Sequence, residues 1–165
     1  CPCGYYNDPT HKCCCTPGQI QRYMSKISGP LLDRIDIQCE ISPVPFKEIS
    51  KAAPGEPSAR IRERVIRARE IQAERFKDFK GIHCNAQMTE RMIHQFAEPT
   101  EEGINLLRMA MEKQSLSARA YNRILKVART IADLAGSQQI EPQHLAEAIG
   151  YRTLDRGDWA ERGHF

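Results

Sequence analysis

No apolar run approaches the length of a membrane span, and no secretory leader pattern opens the chain. There is no phosphate loop of the form G-x-x-x-x-G-K-[ST] and no acidic strand end suited to Mg²⁺. This stretch therefore cannot hydrolyse ATP by itself. Aromatic residues make up only 7% of the chain, and its one tryptophan, Trp159, reads as a tail residue rather than a binding platform. His83, His94 and His144 are scattered without a carboxylate at metal-binding spacing. No internal repeat or low-complexity tract occurs. A net charge of +3 permits a nucleic-acid partner without arguing for one. Cys1 in place of a methionine reads as the start of a piece of a longer protein.

What the chain does have is cysteine in one place. Five of its seven cysteines (Cys1, Cys3, Cys13, Cys14, Cys15) fall within fifteen residues, and Cys39 and Cys84 read as buried thiols. A disulfide scaffold spreads its cysteines to staple distant segments, whereas one dense cluster beside a helical region reads as a metal site in a reducing, cytoplasmic compartment. Cys1, Cys3, Cys13 and Cys15 form the symmetric set of four thiolates for a tetrahedral Zn²⁺, with Cys14 pointing away and His11 as a substitute ligand. The pairs are C-x-C, tighter than the common C-x₂-C, and free thiols on a mobile end are the alternative.

Thr16-Pro17 starts a helix through Ile20, Tyr23, Met24 and Ile27, which Ser28-Gly29-Pro30 ends. Leu31 to Arg34 makes one short turn. Ile35, Ile37, Cys39 and Ile41 alternate with polar residues, so 35–41 reads as a strand. Its sheet partners are not in this sequence, and its edge is expected to pair with another chain or to lie under the cysteine loop. Pro43, Pro45, Pro54, Gly55 and Pro57 mark a linker. Beyond it the pattern is helical. A charged helix over 58–80 carries Ile61, Val65 and Ala68 on one stripe. Thr89 caps a helix with Met92, Ile93 and Phe96. Thr100 opens another, with Ile104, Leu107 and Met111 inward. Ser117 caps the most apolar helix, whose stripe is Ile124, Val127, Ile131 and Leu134, flanked by Leu125, Ala128 and Ala132, and Gly136 stops it. Glu141-Pro142 opens the last helix, and the tail after Tyr151 is polar and frayed. The chain thus divides near residue 50 into a piece of an α/β domain and a helical bundle.

Three basic features could carry chemistry. Arg34 follows a tight turn at the expected strand start; from the residues alone it reads as a surface pair with Asp33 or Asp36. Arg119, Arg123 and Lys126 share one helix face near a helix N-terminus, where a phosphate would be favoured, although an ordinary solvated face is the simpler reading. Arg60, Arg62, Arg64, Arg67 and Arg69 could meet nucleic-acid phosphates, but Glu63, Glu70 and Glu74 interleave with them, as on a solvated face.

Taken in order, CPCGYY, TPGQIQRY, ISGPLLDRIDI, LSARAYNRILKVARTIADLAG and HLAEAIGYR make a series that resembles the magnesium-chelatase-like AAA+ ATPases of the ComM/YifB type over nearly the whole chain. The resemblance implies a mainly α fold: a helical-bundle AAA+ lid over 51–165, preceded over 1–50 by a remnant (zinc-type loop, helix, one strand) of the α/β ATPase core. It implies that Arg34 is an arginine finger reaching a neighbouring subunit's nucleotide. It makes Arg119 the lid's sensor of the γ-phosphate, with Arg129 either beside it or supporting the lid packing. ATP and Mg²⁺ would be bound with the help of segments upstream, in a ring, hexameric by the family's pattern, that handles DNA. A metal-insertion motor, or a zinc-bearing helical adaptor unrelated to ATPases, is the alternative.

Overall fold

The computed structural model describes residues 1–152 apart from residues 7, 9, 40, 42, 43, 45, 52 and 115, and apart from the side chains of 47, 48, 51 and 114. Trp159 and the rest of the tail lie outside the described residues, as do Pro43 and Pro45. The chain forms two compact units that meet in sequence between Ala52 and Ala53. The architecture is mainly helical, and no strand occurs among the described residues. No helix among them is long and apolar enough to cross a membrane.

In the first unit α1 spans Pro17–Met24. Thr16 and Gln19 close a reciprocal capping box around its first turn, so two backbone N–H groups that the helix itself cannot satisfy find partners. The single turn α2 (Gly29–Leu32) follows. Buried apolar side chains are few here: Met24 and Leu32. The strand expected over 35–41 is absent at the described positions of that segment. Ile37 and Ile41 are 52% and 88% exposed, not covered by the cysteine loop, and the buried residue is Gln38, whose Nε2 donates to the Leu32 carbonyl at 3.4 Å. A strand needs a neighbouring strand to satisfy its backbone, and no strand occurs among the described residues. Cys39 is exposed and Cys84 half-buried, so neither is the buried thiol expected. The supposed linker contains a short helix, α3 (Phe46–Lys51).

The second unit is built from α4 (Ser58–Arg75), a 3₁₀ turn (Asn85–Gln87), α5 (Glu90–Phe96), α6 (Glu101–Gln114), α7 (Ala118–Leu134) and α8 (Pro142–Gly150). Helix α7 is the central element, packed against α4, α5, α8 and the 3₁₀ turn, while α6 packs on α8. Its buried face is Ala120, Ile124, Leu125, Ala128 and Ala132, so the face is centred on the expected flank, with Val127 and Ile131 partly buried beside it and Leu134 exposed. Small residues on this face let neighbours approach closely. On α6 the inward positions are Gly103, Leu107 and Ala110, with Met111 half-buried, while Ile104 faces out. A Cβ on Gly103 would lie 2.7 Å from Leu145 Cδ1, so a side chain there would hold α6 away from α8.

Helix ends follow local chemistry. Thr89 and Ser117 accept from the backbone N–H of Met92 and Ala120. Gly136, at φ +70°, ends α7 in a Schellman turn, in which Gly136 N–H donates to Asp133 O and Ser137 N–H to Ala132 O. Helix α4 stops at Arg75, short of the expected residue 80, because Phe76 and Phe79 turn inward to meet Phe96 edge-to-face at 5.8 and 5.7 Å, and each other at 6.4 Å. Arg152, expected to fray, is fully buried.

Candidate functional site

The first fifteen residues fold into a loop around sulfur. The Sγ atoms of Cys1, Cys3, Cys13 and Cys15 all lie within 4.8 Å of one another. Three of the edges are 3.4, 3.6 and 3.6 Å. A tetrahedral zinc with arms of about 2.3 Å separates its sulfurs by roughly 3.8 Å, so this spacing fits a closed thiolate site. The loop supplies donors to the sulfurs: Tyr6 N–H to Cys1 Sγ at 3.2 Å and Cys15 N–H to Cys13 Sγ at 3.4 Å. Hydrogen bonds from the backbone at Tyr5 and at Cys14 pull the Cys3 thiol down to about 6, so it is the sulfur readiest to act as a thiolate. Cys15 also receives a backbone hydrogen bond that favours its thiolate, but burial and the sulfurs of Cys3 and Cys13 outweigh it and raise the group.

The turn between the two cysteine pairs is organised by Asp8. Its Oδ1 accepts from Thr10 N–H and Thr10 Oγ1, both at 2.7 Å, and from His11 N–H at 2.9 Å. The His11 ring is stacked on Tyr5 at 4.8 Å and its Nδ1 lies 2.8 Å from Thr10 Oγ1, so it stands with the loop's polar wall and not among the sulfurs. Cys14 is exposed and outside the quartet.

Arg34 directly follows the C-cap of α2, its backbone N–H bonded to Leu31 O, with its side chain exposed and no side-chain partner among the described residues. Arg119 is the second residue of α7, likewise exposed and unpaired among the described residues. The ridge expected from Arg119, Arg123 and Lys126 is divided. Lys126 Nζ donates to Ala86 O at 2.9 Å, tying α7 to the 3₁₀ turn, and Arg123 is half-buried.

Arg129 lies inside the bundle at 3% exposure. Its Nε donates to Asp133 Oδ1 at 3.1 Å, and its Nη1 and Nη2 donate to the carbonyls of Gln138 and Ser137 at 2.8 and 2.6 Å. Asp133 also receives Arg75 from α4, at 2.7 Å to Oδ2, and Asn85 Nδ2 at 2.8 Å. Asn85 accepts from Arg75 in turn, and its backbone N–H donates to buried Gln72. This network of two guanidiniums around one carboxylate locks α4, the 3₁₀ turn and α7 together. Sequence reasoning missed Arg75, Asn85 and Asp133. It also missed His144, whose Nδ1 accepts from Glu141 N–H at 3.1 Å at the start of α8.

The arginine run on α4 is partly neutralised. Arg64 makes a double hydrogen bond to Glu56 at 2.6 and 2.9 Å, and Arg60 stands 3.9 Å from Glu63. Arg62, Arg67 and Arg69 have no ion pair among the described residues.

A lid-like bundle joined to a cysteine loop and an arginine-bearing turn agrees with what comparison of the sequence finds. The family model described as magnesium chelatase, subunit ChlI C-terminal, matches residues 55–152, and that of magnesium chelatase, subunit ChlI, matches residues 1–49. The chain belongs to this magnesium chelatase ChlI family. It is similar to the competence protein ComM of Haemophilus influenzae and to the uncharacterized protein YifB of Escherichia coli, each 42% identical over 94% of this chain. An uncharacterized protein of Mycobacterium tuberculosis is 35% identical over 92% of it. The chain spans 29% of the length of each of these relatives.

Proposed function

We propose that this chain supplies the arginine finger and the sensing lid of an ATP-driven ring motor that handles DNA in the cytoplasm. The rest of a longer protein would contribute the phosphate loop and the Mg²⁺ ligands. In this reading Arg34 reaches the nucleotide of a neighbouring subunit and stabilises charge on the transferring phosphoryl group. Arg119 contacts the γ-phosphate within its own subunit and couples the position of the lid to nucleotide state. The observation that carries the reading is the setting of Arg119: a cation without an ion pair among the described residues, on the first turn of a capped helix whose dipole favours an anion. Arg129 takes the supporting role, since its three donor nitrogens are engaged inside the bundle.

The cysteine quartet would hold Zn²⁺ through Cys1, Cys3, Cys13 and Cys15. Four protein ligands leave no open position, so the metal's contribution is structural: it orders a loop with almost no apolar core. The relative named as a competence protein favours DNA handling, whereas the family description favours metal insertion. ATP turnover of the full-length protein with and without DNA separates them. DNA-stimulated turnover that falls about 10³-fold in Arg34→Ala is the expected result, with a marked loss in Arg119→Ala. Turnover indifferent to both substitutions removes both roles, and turnover indifferent to DNA transfers the argument to metal insertion.

A further inference from the structure

On α4 the ion pairs sort the arginines by face. Arg60 and Arg64 lie on one side of the helix and are met by Glu63 and Glu56. Arg62 and Arg69 lie two turns apart on another side, exposed and without an ion pair among the described residues. Seven residues of helix set them about 10 Å apart along its axis. Between α4, the 3₁₀ turn and α7 the second unit carries an open cleft of about 490 Å³, and Arg69 lines it. That volume falls in the range of roughly 300–1,000 Å³ that takes small organic groups. None of the described residues lining the cleft is acidic. Asp133, behind Asn85, is 2% exposed and already engaged by Arg75, Arg129 and Asn85.

The lining pairs apolar walls with amides. Val65 on α4 and Leu134 on α7 face the cleft at 40% and 44% exposure. The amide oxygens there are already taken. Asn85 Oδ1 accepts from Arg75, Gln72 Oε1 accepts from Asn85 N–H, and Gln87 Oε1 accepts from His83 N–H at 2.7 Å and from the Cys84 thiol. The Nε2 groups of Gln72 and Gln87 have no hydrogen-bond partner among the described residues. Gln72 is only 6% exposed, and the little surface it keeps opens on the cleft. A largely buried amide with its donors unmet calls for an acceptor. A cleft that offers N–H donors, a guanidinium and apolar walls, with no acid, is complementary to a flat group bearing carbonyl acceptors and joined to an anion.

We propose that this cleft and the Arg62–Arg69 side of α4 bind single-stranded DNA, with one base against Val65 and Leu134 and phosphates on Arg69 and Arg62. A pyrimidine suits the cleft best: thymine carries carbonyl acceptors for the amides of Gln72 and Gln87 and a methyl group for the apolar wall. A base inside a duplex keeps its faces stacked and its edge paired, so the cleft takes a single strand. An acidic peptide would also meet the arginines, but it brings a backbone N–H with nearly every carbonyl, and the amide oxygens of the cleft are already engaged. The inference rests on the DNA side of the proposed function and makes no use of Arg34 or Arg119.

The test is binding of labelled oligothymidylate to the 165-residue chain, followed by fluorescence anisotropy over a range of salt. Each phosphate held by a cation steepens the fall of log K with log salt by about 0.7. Arg62→Ala combined with Arg69→Ala is expected to weaken binding roughly tenfold and to flatten that slope by about 1.4. Arg60→Ala combined with Arg64→Ala, on the other side of the helix, is expected to change affinity less than about twofold. Val65→Asn, which leaves the charge alone, should weaken binding about fivefold at unchanged slope. All five positions are exposed, and circular dichroism checks that each variant keeps its helix content. Equal losses from the two arginine pairs would mean a diffuse charge effect and overturn the proposal. So would a silent Val65→Asn. Polyglutamate that displaces the strand as well as unlabelled oligothymidylate does would make the occupant an acidic peptide and overturn it too. No binding by the chain, with DNA still stimulating turnover of the full-length protein, overturns the cleft alone; loss of both overturns the DNA reading with it.

Discussion

The two units reach order by different means. The second has a continuous apolar core, from Phe76 and Met92 through Leu107, Ile124 and Leu125 to Leu145, with a charged network sealed at its edge. Among the described residues the first buries only Met24 and Leu32 of its apolar side chains, and it gathers four sulfurs within 4.8 Å of one another. Short segments with little apolar surface cannot offset the entropy of folding and need a staple. With the proposed Zn²⁺ in the quartet, the chain would divide its stability between coordination chemistry and packing, so that each unit has its own point of failure.

The largest test of that contrast is metal removal. A structural zinc contributes about 10–16 kcal/mol of apparent binding energy in small zinc domains. A strong chelator is expected to release amide protection across residues 1–24 while the urea midpoint of the helical bundle stays in place. A fall in that midpoint would show that the units are not separable in this way. Next in size is Asp133→Ala, which leaves Arg75 and Arg129 together without their carboxylate at a site where Asp133 is 2% exposed. Breaking a buried pair costs about 3–5 kcal/mol, read as a lower urea midpoint of the bundle, with the cysteine loop's metal content unchanged. Gly136→Ala forces a side chain into the left-handed region and should cost roughly 1–2 kcal/mol by the same measurement. The smallest is Ser117→Ala, at about 1 kcal/mol from the lost cap. A silent Ser117→Ala would mean that the α7 start is held by packing alone.

How much was legible follows the range of the interactions. Thr16, Thr89, Ser117 and Gly136 act within one turn, and their roles could be read directly. The quartet was legible because all four cysteines fall within fifteen residues. Arg75 and Asp133 are 58 residues apart, and nothing in the local pattern of either announces the other. Arg119 and Arg129 look alike in sequence, but their different phases on α7 put one in solvent and the other against Asp133. The alternation over 35–41 misled because period two indicates a strand only where a sheet exists to receive it. Here the buried position fell on Gln38 instead. The end of α4 was misplaced because the pull of three phenylalanines from two segments overrode helical propensity.

The close spacing of the cysteines also bears on the order of events during synthesis. Closing a loop of about a dozen residues is a fast and entropically cheap step, whereas the clasp between Arg75 and Asp133 must wait until most of the bundle has been made. A ribosome releases the amino-terminal side first, so the cysteine loop could take up the proposed Zn²⁺ while α7 has yet to be translated. If the quartet holds Zn²⁺ as proposed, starvation for metal would act on the newborn chain, before the bundle has formed.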